Sequence, residues 1–413
     1  MKKIMRYSLV LTLLLVFTGG GFLFYRVSQF RLAVSELKAA HKPVSFSDLS
    51  VPIAIGAPDA SAALRRLVGP LESFEKEMWV DEDVLSRPVD DEMIVRFGEL
   101  DRAYPEVFRL IDEAIKAGVT GKEISGSYDE VVNGQLLEWQ QLRSCARVMN
   151  WKMRILAAQG MPDEAVKVGI DILRLSRVGN YPTLVSQLVR NASRGIAIHA
   201  IHEVIKESKI SDEVRAKLNA TLDLHSNFYD YKDALVSERA FGIEMLNTQN
   251  MFQIAFNGVS YLEFLETQID GADKEGFERD LSFEDDFSIV FDGALTGGMI
   301  PAIQQVRNSV DRVRSWIRAL RIINALEANS GNAKLSEAVL SEDTAVVKKA
   351  LLEMGVPESM TVDTVSGQLM KIARVKNEWA VYSVGANGVD DGGSHAGIED
   401  YVLGGADEDE DDE

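Results

Sequence analysis

Apolar residues recur along most of this chain at the three-and-four spacing of amphipathic helices, and only near the end does the period shorten to that of strands. The first block differs in kind: residues 7–25 carry no charge and are rich in Leu, Val and Phe. As a helix this run would span about 28 Å at roughly 1.5 Å per residue, the thickness of a bilayer core. Over 28–40, Phe30, Val34 and Leu37 continue an amphipathic helix as a short stalk that Pro43 stops. Helical spacing returns over 59–71 and 90–117, with Met93, Phe97, Leu100, Val107 and Ile111 among the predicted core positions. The strongest periodicity runs from 135 to 205. Leu142, Ala146, Met149, Met153 and Leu156 precede a break at Gly160-Met161-Pro162, and Ala165, Val168, Ile172 and Leu175 follow it, predicting an antiparallel helix pair. A third helix after Tyr181-Pro182 is expected to bury Leu184, Leu188, Ala192, Ile196, Ile198, Ile201 and Ile205, the proline suiting its first turn. Two more helices are predicted over 212–224 and 229–245.

Order then weakens. Residues 271–298 gather Asp273, Glu275, Glu278, Asp280, Glu284, Asp285, Asp286 and Asp292 among glycines, which predicts an acidic mobile insert. Pro301 reads as opening a long helix whose Ile303, Val306, Val310, Val313, Ile317 and Leu320 form a seam, the expected place for a protein partner. Its other faces carry Arg307, Arg312, Arg314, Arg318 and Arg321, expected either to be solvated and paired with the protein's own carboxylates or to meet an anionic partner. Finally, 368–375 and 379–384 alternate as a two-stranded hairpin turning at Lys376-Asn377-Glu378.

The predicted class is therefore mainly α, with an N-terminal transmembrane helix, a helical exported domain, and a small C-terminal α+β subdomain carrying a β-hairpin and an acidic loop. The predicted organisation is a transmembrane anchor over 1–27, the helical exported domain over 28–250 and an acidic flexible insert over 251–300. The long helix, hairpin and loop follow over 301–405, and a disordered acidic tail over 406–413.

Charge narrows the partners. The formal net charge is -20 over 413 residues, and an unbroken acidic run fills 407–413. This balance argues against nucleic acid or anionic lipid as the main partner, since either would need a basic surface to gain from counterion release, and makes cations and basic proteins the better candidates. Lys2, Lys3 and Arg6 precede the apolar run while Arg26 and Arg31 follow it, so the positive-inside rule favours a cytoplasmic N-terminus. The expectation is a single-pass protein of the bacterial inner membrane with its body exported to the periplasm. A cleaved signal peptide ending near Thr18 to Gly21 is the competing reading, and the continuation through Phe22-Leu23-Phe24-Tyr25 favours retention. Cys145 is the single cysteine, so no internal disulfide forms, and its apolar neighbours predict a buried structural thiol.

Chemistry concentrates in one place. Asn387, Asp390, Asp391 and Asp400 crowd among turn glycines, and such a loop can wrap oxygen ligands around a hard cation such as Ca²⁺. Asp390, Asp391 and Asp400 are the expected side-chain ligands, with Asn387 or backbone carbonyls as helpers and a structural role for the ion. No catalytic residue is predicted. Ser35-x-x-Lys38 and Ser73-x-x-Lys76 lack the companion Lys-Thr-Gly of penicillin-recognising enzymes, and 118–122 lacks the length of a phosphate loop. His199 and His202, with Glu203, stand close enough on one helix to share a metal, although buried histidines satisfied by backbone are the plainer reading. A hydrolase using carboxylates of the helical domain and the insert is the enzymatic alternative.

Asp363-Thr364-Val365-Ser366-Gly367, the hairpin, and then Tyr382-Ser383-Val384-Gly385-Ala386-Asn387-Gly388 with Gly392-Gly393 resemble the calcium-loop region of major pseudopilins of type II secretion systems. The resemblance covers about the last 100 residues. It implies calcium in the loop and, as an alternative role, a secretion-apparatus accessory. Asn387 stands where that family usually has Asp, and the N-terminus lacks a prepilin cleavage motif. Over most of its length the layout is similar to a set of single-anchor bacterial envelope proteins, through Pro43-Val44-Ser45, the Pro182 to Arg190 segment and the closing Asp390-Asp391-Gly392-Gly393. That likeness implies an envelope scaffold or interaction protein, with no reaction attached to it.

Overall fold

The computed structural model describes residues 2–50, 60–78, 88–118, 128–178, 183–226, 229–279, 294–376, 378–393 and 400–404. Helix α1 (Lys2–Ala39) is continuous, and its described side chains begin at Gly20. Leu23, Val27, Phe30 and Leu37 fall on one stripe and are buried against α10 (Met251–Gly271). Gly258 makes that approach possible, since a Cβ there would stand 2.7 Å from the Phe30 ring. The Arg26 Nε donates to the Ala255 carbonyl at 3.2 Å. What reads in the sequence as a stalk is thus part of the body. Most of the 7–25 run lies among side chains outside the described residues, and among the described residues no helix is long and apolar enough to cross a membrane.

Helix α10 also corrects the boundary drawn at residue 251. The acidic residues from Asp273 onward dominate the sequence impression, yet Ile254, Tyr261, Phe264, Leu265 and Ile269 form a buried face just before them. Asn250 caps the helix by accepting from the Phe252 and Gln253 amides, and the Gln253 side chain accepts from the Asn250 amide in return. The acidic stretch 280–293 lies outside the described residues.

Helices α2 (Ala60–Met78), α3 (Asp91–Ala103) and α4 (Glu106–Ala117) meet around Phe74, whose ring stands edge-on to Phe97 and Phe108 at 5.6 and 5.8 Å. Helices α5 (Tyr128–Ala158) and α6 (Pro162–Leu175) form the predicted antiparallel pair, with Gly160 in the left-handed conformation at the turn. Helix α7 (Leu184–Glu207) packs on both of them and on α9 (Tyr229–Asn247). Its cap is Thr183, in reciprocal bonds with Ser186, while Pro182 lies outside the described residues.

The buried face of α7 departs from expectation in its first half. Leu188 and Ala192 are exposed, and Gln187, Arg190, Asn191 and Arg194 turn inward. They do so because they satisfy one another and their neighbours: Arg194 reaches Asp230 of α9 at 2.6 Å, Gln187 donates to Asn191 at 3.0 Å, and Asn191 donates to Ser309 at 3.1 Å. Helix α8 (Asp212–His225) closes this layer.

Helix α11 (Ala294–Ala328) begins before Pro301, which lies inside it and does not open it. A single missing N–H removes one ladder bond, which the flanking turns tolerate. The seam Ile303, Val306, Val310, Val313, Ile317 and Leu320 is entirely buried by the protein's own α7, α8, α10 and C-terminal sheet. Arg307, Arg314, Arg318 and Arg321 are buried as well, contrary to a solvated face. Arg318 donates to the Val362 carbonyl at 2.6 Å and pairs with Glu275 at 2.8 Å, and Arg321 donates to the Gly355 carbonyl at 2.6 Å. Asp311, on the same helix, takes a bidentate pair from Arg279 at 2.7 and 3.0 Å.

Two short helices, α12 (Ala333–Ala338) and α13 (Thr344–Glu353), lead to the sheet. Strands β1 (Lys371–Val375) and β2 (Glu378–Ser383) form the predicted antiparallel hairpin, but β1 begins at Lys371, and Glu378, expected in the turn, is the first residue of β2, opposite Val375. A third strand, β3 (Tyr401–Leu403), pairs with the other edge of β2, so the hairpin becomes a three-stranded sheet in the order β1-β2-β3. The acidic loop is the β2–β3 connection. One hydrophobic cluster joins buried residues from Leu23 to Leu403.

Candidate cation site at the C-terminal acidic loop

The loop leaves β2 at Ser383 and returns to β3 at Tyr401, so its position is fixed by the sheet. Its turn needs glycine at 393: φ is +72°, and a Cβ there would lie 2.9 Å from the Tyr382 ring. Behind it stands Asp363, 1% exposed. The Asp363 carboxylate accepts from Ser383 Oγ and Ser366 Oγ at 2.6 Å each, from the Val365 amide at 3.0 Å and from the Val384 amide at 3.3 Å. It therefore ties the turn before β1 to the end of β2.

The structure brings Asn387, Asp390, Asp391 and Asp400 together, but with unequal freedom. Asn387 Oδ1 accepts from the Val389 amide at 3.0 Å, and its Nδ2 donates to Asp391 Oδ2 at 3.1 Å. Asp390 Oδ1 accepts from the Gly392 amide at 3.1 Å and from the Tyr382 hydroxyl at 3.2 Å, while Oδ2 pairs with Lys371 Nζ at 2.9 Å. The Lys371 ammonium holds the Asp390 carboxyl below its ordinary range. Burial, reinforced by Asp390, pushes the Tyr382 hydroxyl up to about 12.

Asp400 is the exception. It is 7% exposed, and its Oδ2 accepts from the Gly393 and Asp391 amides at 2.9 and 3.2 Å. Its Oδ1 is buried without a hydrogen-bond partner among the described residues. Burial raises the Asp400 pKa and the Asp391 and Asp390 carboxylates raise it further, against the lowering effect of the two amides. An orphaned, partly desolvated carboxylate oxygen beside a second carboxylate calls for a proton or a cation. Asp400 and Asp391 fit a hard cation; Asp390 and Asn387 already have their oxygens engaged. Among the described residues no group of three or more His, Cys, Asp or Glu side chains is arranged to hold a metal. His395 and Glu399 of the loop lie outside the described residues.

Lys371 and Asp363 are the residues that sequence reasoning missed. The hairpin register offers the signal for the first, because Lys371 sits directly opposite Tyr382. Nothing in a turn sequence marks Asp363 as buried.

Elsewhere, His199 and His202 go to different neighbours: His199 stands edge-on to Trp316 with ring centroids 4.6 Å apart, and His202 contacts Glu203 at 3.2 Å. A cleft of about 620 Å³ between α5 and α7 is lined by Asn150, Arg154, His199, Glu203 and Glu207. Its Glu203 carboxyl is held below the ordinary range by His202 and Lys206, so it serves in a surface ion-pair network. Cys145 is fully buried, and that burial pushes its thiol up, as a structural cysteine requires.

No protein-family model matches the chain, and no curated protein or solved structure matches it.

Proposed function

We propose that this is a membrane-anchored envelope protein whose helical body serves as a scaffold or interaction component, with a structural cation closing its C-terminal loop. The observation that carries the anchor is α1 itself. Its charge-free 7–25 run ends with Leu23 in the core and continues without a break into Val27 and Phe30, all three packed against α10. A helix fixed at one end in the body and apolar at the other suits a retained anchor better than a removable leader. The basic residues before the run favour a cytoplasmic N-terminus and an exported body. For the cation, the support is the unpartnered Oδ1 of Asp400 beside Asp391 and the likeness of the loop to that of the pseudopilins. The buried seam of α11 leaves nothing for a pilin-like bundle to pack on, and the scaffold reading stands ahead of that one.

The test is a full-length protein carrying a C-terminal reporter active only outside the cytoplasm, combined with alkaline extraction of membranes. Reporter activity with retention in the extracted membrane is expected; release of the body to the soluble fraction overturns the anchor. For the loop, thermal melts of the detergent-solubilised chain with Ca²⁺ and with chelator should differ, and Asp400→Asn should abolish the difference. Identical melts with verified calcium removal refute the cation.

A further inference from the structure

Helix α10 carries a second surface that the fold does not use. Between Glu244 and Glu263 no charged residue occurs, in a chain whose formal net charge is -20. The first turns of α10 expose Met251, Phe252 and Phe256, and Phe252 is 60% exposed. Alongside, α1 exposes Phe22, Phe24 and Tyr25, with Phe24 71% exposed. The Phe22 and Phe256 ring centroids lie 6.2 Å apart, which joins the two groups into one patch. Contacts along the pair fix its polarity: Phe22 meets Phe256, Phe30 meets Gly258, and Lys42 pairs with Glu266 at 2.8 Å. The two helices therefore run parallel, and the N-terminal turn of α10 lies at the level where the charge-free run of α1 ends.

Contiguous apolar patches of this kind mark an interaction surface. Its composition points to one occupant. Aromatic side chains beside uncharged polar ones, here Asn250, Gln253 and Asn257, match the interfacial layer of a bilayer, where apolar bodies enter the acyl boundary and polar groups stay among headgroups. We infer that the first turns of α10 lie in the interface of the membrane that α1 enters, so that the body is held at two points and not one. The inference rests on the anchor reading and adds to it a second, non-spanning contact.

Depth-dependent quenching tests it. The full chain carrying a fluorophore on Phe24→Cys, Phe252→Cys or, as a distant control on the α5–α6 turn, Met161→Cys would be reconstituted in phosphatidylethanolamine and phosphatidylglycerol vesicles containing nitroxide lipid. All three positions are exposed, so the fold tolerates them, and Cys145 is buried. The expected result is quenching at residues 24 and 252, at least about twofold stronger than at 161, and stronger with the nitroxide near the headgroup than deep in the chain. Quenching at 24 without quenching at 252 overturns the inference and leaves the anchor standing. Quenching at neither removes the anchor and the inference together. Equal quenching at all three overturns it as non-specific adsorption. Energy transfer between copies labelled at 252, without lipid quenching, overturns it in favour of a second copy of the chain.

Discussion

Removing the Asp363 carboxylate should loosen the whole C-terminal sheet, and the size of the effect follows from its four donors. Val365 and Ser366 are half-buried, so water replaces the carboxylate there at little cost. Ser383 and Val384 are buried, and Asp363→Ala leaves their hydroxyl and amide without a charged acceptor. Hydrogen bonds to charged groups contribute about 1.5–3 kcal/mol each, so two buried ones predict a loss of about 3–6 kcal/mol. Asp363→Asn keeps the shape but turns an NH₂ toward one donor pair, and should lose roughly half as much. The assay is native-state hydrogen exchange on the full chain, because local opening in a protein of this size need not follow global unfolding. Protection in β2 and at Val384 should fall by about two to four orders of magnitude in Asp363→Ala, since about 1.4 kcal/mol is tenfold. The helical layer should keep its protection. A change of less than about threefold in β2 would refute the reasoning, showing that water takes over these bonds.

Two further perturbations address the buried polar groups. His225 is 3% exposed with neither ring nitrogen hydrogen-bonded among the described residues, and burial, with Arg194 and Arg177, lowers its pKa to about 3. Its folded pKa lies below the ordinary unfolded value near 6.5, so its neutral form favours folding above that pH; stability should fall by up to about 1.4 kcal/mol per unit between roughly pH 6.5 and 3. Denaturant midpoints across this range should flatten in His225→Leu, and an unchanged slope would sink the assignment. Asp311→Ala strands the buried Arg279 guanidinium and should cost about 3–5 kcal/mol, whereas Arg279→Met with Asp311→Leu should recover much of the loss. Urea unfolding of the wild type and the two variants checks this, and a double variant no better than the single one contradicts it.

Most of the helices were legible because burial and spacing coincide in them. In α4, Val107, Leu110, Ile111 and Ala114 are both periodic and inside. The misreadings share one cause: polarity at a position does not tell which way the side chain points. Arg194 and Asn191 enter the core because partners from α9, α11 and the turn after α6 arrive from distant sequence, while the apolar Leu188 is left outside. The arginines at 307, 314, 318 and 321 lie on one helical face by spacing alone, yet the partners that receive Arg318 and Arg321 in the interior are Glu275, Val362 and Gly355, none of them near in sequence. Helix α10 was hidden by the acidic residues that follow it. Strand β3 is three residues long, too short for a period, and exists because β2 offers an open edge. The acidic loop was visible in full as a set of residues, but Lys371 and the inequality between Asp390 and Asp400 emerge only once the register is known.

The arginine stripe of α11 also sets an order of events. Arg318 and Arg321 draw on both sides of the helix in sequence: Glu275 and Asp223 precede it, Val362 and Gly355 follow it. A chain still emerging from the ribosome has the first set and lacks the second. Until residues from Gly355 onward are present, Arg318 and Arg321 lack these two carbonyl acceptors, and that part of α11 stays cationic and wet. Truncation or delay at the C-terminus would therefore be felt in the middle of the molecule, far from the sheet that is missing.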